Sequence, residues 1–506
     1  MWRRLISADA VVSLRRLARP QWQARRGLIT LAIETSCDDT SVAILEKNDR
    51  LGRTLAQLHF HKKVTSDNAE YRGVHPIRSL ISHQENLARL VSEAIRHLPA
   101  RDPGCTTDHG AFREHNSSGA VDISMKRLPD FVSVTRGPGM RSNLFHGLDV
   151  AKGLAAAWQK PLVGVHHMQA HALTPRLMSA LEQAATAPLK PGFPFLSVLA
   201  SGGHTLLIQS ESLTEHRVLG TTNDIAVGEC LDKIARLVLP QELLQSSKNT
   251  MYGALLEQFA FRQPGHKTER DDAPGNGSIV SASSQPVATS SGLGCSAEQI
   301  LEKSFHHYQW YEVPSNHEEA LRKNITKWGW SFNQPLTKSN GGTKINTVEL
   351  SFSGLLTAVE RAIRYHTDTS TMKLTKIERN IDEISLEEKR DIAREAMRAA
   401  FEHVTNRVIL SLRASREGTA ILPGVVIAGG VAANRFLRHI LASTLCARGY
   451  SDVKLYFPPP AFCTDNAAMI AWAGLEMFEA GCMDPLSIRA IRKWPLDRLL
   501  NPVVDG

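Results

Sequence analysis

The stretch HHMQAH puts His167 and His171 four residues apart. On a helix that spacing brings two side chains to one face, with Cβ atoms about 5–6 Å apart. Both imidazoles then reach a single metal ion. The same spacing suits two ordinary core or surface histidines, and the Glu of the HExxH protease pattern is missing. A divalent ion needs at least a third protein ligand and usually an open position. Asp465, in CTDNAAMIAWAG, is the best candidate: an acid at the start of an apolar helix, just after FPPPAF. Such a ligand ties the end of the second half of the chain to the first across a cleft.

Three further clusters could bind phosphate or nucleotide. ETSCDDTSVA sets Glu34, Asp38 and Asp39 around a turn of Thr, Ser and Cys. Hydroxyls and backbone N–H groups of such a turn hold phosphate, and an acid holds a metal or its water. An ordinary acidic hairpin turn has the same composition. SGGHT (201–205) follows an apolar strand. Its two glycines let backbone N–H groups approach a phosphate, and Ser201 and Thr205 add hydroxyls; a plain hairpin turn also explains Gly-Gly. AGGVAANR (428–435) leaves a strand and enters a helix, where glycines let a ribose or base lie on the backbone and the helix N-terminus favours negative charge. Close strand–helix packing is the alternative. TRGPGMRS (135–142) is a second turn of that kind.

The elements that must position these groups alternate in type. LITLAIE (28–34) and TSCDDTSVAIL read as strand, polar turn, strand, and the rhythm recurs at FLSVLASGGHTLLI (195–208). Residues 424–441 run from strand through two glycines into helix. Further buried strands are expected at 131–135, 161–165 and 453–457, and helices at 145–159, 167–179, 391–413 and 465–480. Strands alternating with helices imply an α/β architecture, and the repeated hairpin implies two similar lobes. Residues 101–129 and the low-complexity run at 264–296 look inserted. Residues 297–346 carry HHYQWYEV and KWGWSF, whose aromatics imply some order without pointing to a function.

Composition narrows the class. The 506 residues suit two or three domains, and 42% hydrophobic with 22% charged residues fits a globular enzyme. No run of 18 apolar residues occurs, so no membrane insertion is expected. Residues 1–27 hold seven arginines and one acid between short apolar runs, the make-up of a mitochondrial or plastid transit peptide; a retained basic surface helix is the alternative. This segment accounts for six of the eight net positive charges. The basic balance is therefore no evidence for nucleic-acid binding. Seven cysteines without a CxxC pair suit a reducing compartment.

Taken together and in order, ETSCDDTSVA, TRGPGMRSNLFHGLDVAKGLA, HHMQAH, LASGGHTLL, GECLDKIAR, LSFSGL, AGGVAANRFLR and CTDNAAMIAWAG resemble the universal tRNA threonylcarbamoyladenosine transferase family, once labelled a sialoglycoprotein endopeptidase. The resemblance covers roughly residues 28–262 and 347–485, and the N-terminus makes the chain similar to a mitochondrial member. It implies an α/β, two-lobed, actin-like and Hsp70-like ATPase fold with nucleotide in the cleft. The expected division is a leader at 1–27, an N-terminal lobe at 28–165 with an insert at 101–129, a C-terminal lobe with the metal helix at 166–485 and an insert at about 264–346, and a tail at 486–506. It implies one divalent ion per subunit (Fe, Zn or Mg) on His167, His171 and Asp465. Substrate or nucleotide contacts fall on Ala200, Ser201, Gly202, Gly203, His204, Asp232, Gly253, Gly429, Gly430 and Asn434. The paired acids of the family map onto Asp38 and Asp39, and His204 or Asp38 is the candidate proton acceptor. Three departures stand out. The second acid is Asp39 where relatives often have Glu, the Gly-Gly-Pro turn is reduced to MYGALLE, and the metal helix carries Gln169 and Ala170 at variable positions.

The implied reaction moves a threonylcarbamoyl group from threonylcarbamoyl-adenylate to N6 of adenosine 37 in tRNAs reading codons that begin with A, releasing AMP. The implied partners are tRNA, a separate synthase that supplies the adenylate, and a second copy of the chain, in the mitochondrial matrix. Three rivals remain on the sequence: a metalloprotease, an actin-like kinase or carbamoyltransferase acting on a small molecule, and a protein that only binds nucleotide.

Overall fold

The computed structural model describes residues 27–502 apart from 51–52, 72, 102–110, 114–124, 183–187, 247–251, 262–293, 322–324, 337–345, 369, 372 and 419–420. The leader expected at 1–27 lies outside the described residues except for Gly27, as do most of 101–129 and nearly all of 264–296, the two segments read from the sequence as inserted.

The expected hairpin opens the fold: β1 (Leu28–Glu34) pairs antiparallel with β2 (Asp39–Arg50), which pairs with β3 (Arg53–Thr65). Helix α1 (Pro76–Arg96) follows. The chain then runs through β4 (Phe131–Gly137), α2 (Arg141–Trp158), β5 (Leu162–His166) and α3 (His167–Leu181). A second hairpin, β6 (Phe195–Ala200) with β7 (Thr205–Ser210), continues into β8 (His216–Thr221). Helices α4 (Val227–Val238), α5 (Gly253–Phe261), α6 (Ser353–Arg364) and α7 (Leu386–Glu417) come next. The last elements are β9 (Gly424–Ala428), α8 (Arg435–Ala447), β10 (Lys454–Tyr456) and α9 (Ala467–Glu479).

Two five-stranded sheets result, ordered β3-β2-β1-β4-β5 and β8-β7-β6-β9-β10. Each has two antiparallel pairs followed by two parallel ones, so the repeated hairpin of the sequence marks a repeated sheet.

Strand periodicity divides the apolar residues among three cores, because successive side chains leave a strand on opposite faces. Ile29, Leu31 and Ile33 of β1 pack with α1 and α2, while Ala32 faces the other way into a core built on α3 and α9. In the second sheet Phe195 and Leu199 face that same middle core, and Leu196 and Val198 face a third core with α4 to α8. The layers therefore run helix, sheet, helix pair, sheet, helix. Helix α9 is buried along most of its length, with Trp472 fully enclosed.

The aromatic stretch at 297–346 is ordered where described, and its polar edges explain why. The indole N–H groups of Trp328 and Trp330 donate to Asp391 (2.9 Å) and Glu388 (3.0 Å) of α7, and Tyr311 Oη donates to Glu402 (3.1 Å). Arg398 lies between Glu395 and Glu402, donating to each at 2.8 Å. Buried charges persist only when paired in this way.

The segment after α9 returns to the first sheet. Asp484 accepts from Gly164 N (2.8 Å) and Arg136 Nη1 (3.2 Å), and Trp494 O accepts from His166 Nε2 (2.9 Å). No helix among the described residues is long and apolar enough to cross a membrane.

Candidate metal and nucleotide site

Helix α3 starts at the C-terminal end of β5, and its first residue is a proposed ligand. His166 caps the helix: its Nδ1 accepts from Met168 N (3.1 Å) and Gln169 N (3.4 Å). Burial pushes its pKa down to about 3, so it stays a neutral acceptor, as a cap requires. His167 and His171 are then one turn apart on the same face, with rings edge-on and centroids 4.7 Å apart. Asp465 meets them from the turn before α9, where Asn466 caps the helix by accepting from Met469 N at 3.0 Å. The acid thus lies just ahead of the helix rather than in its first turn.

Asp465 Oδ1 lies 3.3 Å from His167 Nε2 and 3.1 Å from His171 Nε2. All three donor atoms fall within 4.8 Å of one another. Ligands bound at about 2.0–2.2 Å to one tetrahedral ion stand about 3.3–3.6 Å apart, close to the two separations from Asp465 Oδ1. The donor set and its spacing fit a divalent cation. The three groups and Glu34 also form one set of interacting charges. Burial drives the Asp465 carboxyl upward, but His167 and His171 outweigh it and hold the group well below the usual carboxylate range. His167 rises to about 10: burial opposes this, and Asp465 and Glu34 prevail. His171 is pushed the other way by burial. Glu34, at the end of β1, is fully buried and sits 3.1 Å from His167 Nδ1.

The two paired acids part company. Asp39 opens β2 and is 4% exposed. Its Oδ1 accepts from Thr65 Oγ1 at 2.5 Å and its Oδ2 from Lys63 Nζ at 2.9 Å. Burial nevertheless pushes the carboxyl up to about 7, with Lys63 pulling it back. Lys63 also donates to Thr464 Oγ1 (2.9 Å), next to the ligand Asp465, and Ser41 Oγ accepts from Ala467 N (3.0 Å). Two polar ties therefore fix the Asp465 turn to the first sheet. Asp38 is half-buried, and burial and then the charge of Asp465 raise its carboxyl.

The glycine loops converge from the second sheet. Ser201 Oγ accepts from Gly203 N (3.3 Å) and His204 N (3.0 Å), folding the loop on itself. The Cβ positions of Gly202 and Gly203 are open, with no atom within 4 Å, so that side of the loop is clear. Helix α4 seats directly behind: a Cβ on Gly228 would stand 2.6 Å from Ser201 O. Gly429, at φ +93°, lies across from Ala200, whose carbonyl oxygen a Cβ would meet at 2.4 Å. Only glycine fits both demands. A Cβ on Gly430 would stand 3.8 Å from the methyl of Thr464. His204 is exposed on the loop's open side, yet desolvation on its other flank and the charge of His167 lower its pKa.

Asn434 and Asp232 take up local duties. Asn434 Oδ1 caps α8 by accepting from Phe436 N (3.0 Å) and Leu437 N (3.1 Å). Asp232 Oδ1 accepts from Gly253 N (2.9 Å), at the start of α5. Glu257, one turn into α5, accepts from Arg435 N (2.8 Å) and Phe436 N (3.1 Å), tying the Gly253 helix to the AGGVAANR segment. Lys63, Glu257 and the contact of Glu34 with His167 are absent from any reading of spacing, since each joins residues far apart in sequence.

Asp232 yields a prediction. Burial raises its carboxyl to about 6, with the N–H groups of Gly253 and Tyr252 opposing. Between about pH 4 and 6 the folded chain holds a proton that the unfolded chain, with its aspartate near 3.9, has released. Stability from this group is therefore full below pH 4 and falls as pH rises to 6. Asp232→Asn is expected to flatten that slope, measured by urea unfolding at pH 4, 5, 6 and 7. An unchanged slope contradicts it.

Comparison with known proteins places the chain. The sequence profile of the tRNA N6-adenosine threonylcarbamoyltransferase family matches residues 119–282 and 304–472. A Schizosaccharomyces pombe protein named tRNA N6-adenosine threonylcarbamoyltransferase, mitochondrial, is 32% identical over 489 residues, covering 95% of this chain and 89% of its own. The Methylocapsa acidiphila tRNA N6-adenosine threonylcarbamoyltransferase is 29% identical over 477 residues, covering 94% and 99%. Among solved structures, T. kodakarensis HypF covers 90% of this chain and 49% of its own at 13% identity, with a TM-score of only 0.39. The chain belongs to the tRNA N6-adenosine threonylcarbamoyltransferase family and is a transferase.

Proposed function

We propose that this chain transfers the threonylcarbamoyl group from threonylcarbamoyl-adenylate to N6 of adenosine 37 in mitochondrial tRNAs reading ANN codons, forming threonylcarbamoyladenosine and releasing AMP. The observation that carries this is the convergence of His167, His171 and Asp465, in a chain of this family that also has a Ser201–His204 loop with open glycine Cβ positions. An actin-like, two-lobed cleft, where the start of α3, the Asp465 turn and the Ser201–His204 loop meet, would hold the donor, with residues 28–165 and 166–485 as lobes.

An exocyclic adenine amine is a weak nucleophile, so the acyl carbon must be activated and the leaving phosphate neutralised. A divalent ion on His167, His171 and Asp465 would polarise the donor and offset charge on its phosphate. Gly202 and Gly203 let the phosphate approach the backbone, and Ala200, Gly429, Gly430 and Asn434 line the path of the adenosine. His204, kept neutral by its surroundings, is the group we assign to accept the amine proton, with Asp38 the second acceptor. Both oxygens of Asp39 are engaged, so it holds Lys63 and the Asp465 turn in place rather than touching substrate. The acceptor base is reached because an anticodon loop presents it unstacked.

The leader at 1–27, action in the matrix, supply of the adenylate by a separate synthase and assembly as a homodimer belong to the same proposal; the mitochondrial S. pombe relative supports the first two. Depleting the chain from cells should remove threonylcarbamoyladenosine from mitochondrial tRNAs of the ANN set and leave cytosolic tRNAs unchanged, by nucleoside mass spectrometry. Retention on mitochondrial tRNAs would overturn the proposal.

A further inference from the structure

His167 is held on both sides of its ring, and the two sides differ. Its Nε2 faces Asp465 and its Nδ1 faces Glu34 Oε2 at 3.1 Å, with Ser36 Oγ at 3.2 Å. Glu34 is fully enclosed, and three donors meet its carboxylate. Oε1 accepts from Ser36 N at 2.5 Å, and Oε2 accepts from Thr135 Oγ1 at 2.5 Å. A carboxylate fixed from three directions cannot swing away or turn. Its neighbour's ring can meet it only by donating, since an ionised carboxylate is acceptor-only. His171 has no such arrangement: its Nε2 faces the same Asp465 oxygen, and its Nδ1 is buried without a partner.

We infer that Glu34 is a positioning residue for the metal site: it keeps the proton of His167 on Nδ1, leaving the Nε2 lone pair aimed at the ion. A histidine ligand whose other nitrogen donates to a carboxylate is oriented and made more basic, and loss of such a partner typically weakens metal binding by about 10–100-fold. The asymmetry assigns unequal parts to the two histidines. His167 is pre-set by the first sheet, through Glu34 and through Thr135 of β4. His171 has no carboxylate or other partner on its Nδ1 to set it in the same way. The inference rests on the metal reading above and adds a role for a carboxylate that does not itself ligate.

The test uses the full chain stripped of metal and titrated with zinc chloride against a chromophoric chelator, beside a ¹⁵N-histidine spectrum of the zinc-loaded protein. Wild type should bind one zinc, and in the zinc-loaded protein His167 should show a protonated Nδ1 and an Nε2 without a proton. Glu34→Gln, folded by circular dichroism, should bind zinc about 10–100-fold more weakly and lose the fixed tautomer. Thr135→Val leaves the carboxylate in place but removes one of its anchors. It should give a smaller weakening in the same direction, and it carries the test where Glu34→Gln does not fold. Equal zinc affinity and an unchanged His167 spectrum in these variants overturn the inference alone. Wild type that binds no zinc overturns it together with the metal reading.

Discussion

Asp465→Ala is expected to lower transfer by at least about 10²-fold, equivalent to about 3 kcal/mol of transition-state stabilisation, and to empty the metal site. Asp465 Oδ1 is the atom on which both Nε2 atoms converge, at 3.1 and 3.3 Å. Removing it takes away one donor of three and the negative charge that offsets the cation. It also leaves His167 with Glu34 as its one carboxylate neighbour among the described contacts. Asp465→Asn keeps the volume and should lose nearly as much, which separates charge from packing. Metal content by elemental analysis and product by mass spectrometry are read on the same preparation. Retained metal with retained transfer would make the cluster a structural one.

Gly429→Val is expected to have the largest effect on stability among the site variants, about 2–4 kcal/mol. The residue adopts φ +93°, and a Cβ there would lie 2.4 Å from the carbonyl oxygen of Ala200. A branched side chain can neither adopt that conformation cheaply nor fit that space. Relief requires moving Ala200 and with it the Ser201–His204 loop, so AMP should bind more weakly as well. Gly430→Ala is the internal control. A Cβ there would stand 3.8 Å from a methyl of Thr464, an ordinary contact, and the change should cost under about 1 kcal/mol. Urea unfolding compares the two. Equal losses would show that the strain at Gly429 is not what holds the loop.

The sequence made the hairpins legible because each strand alternates around a short polar turn. The ends of β1, β6 and β7 fall within two residues of the apolar runs, whereas β2 continues past Leu45 through a charged stretch to Arg50. Repetition of strand, turn, strand likewise disclosed the doubled sheet. The placement of α9 was not legible. Its residues 467–477 are buried throughout, and a helix that is apolar all round does not say which sheet it covers. At the site, spacing offered His167 and His171, and the acid-bearing turn offered Asp465. Lys63 reaches Asp39 only through the register that sets Asp39 opposite Thr65 and Ser41 opposite Lys63. Glu34 meets His167 across two strands and 133 positions. Trp328 and Trp330 gave aromatic signal alone; the acids that receive their N–H groups lie on α7, about 60 positions on. Periodicity reports which face is apolar, and it carries no information about partners that tertiary packing selects.

The central claim is that this one chain, loaded with a divalent ion, joins donor to tRNA. Purified protein should be mixed with threonylcarbamoyl-adenylate and unmodified tRNA, with no other protein present, beside His167→Ala. Threonylcarbamoyladenosine at position 37 with wild type and its loss with the variant is the predicted result. No product from folded, metal-loaded wild type would contradict the account.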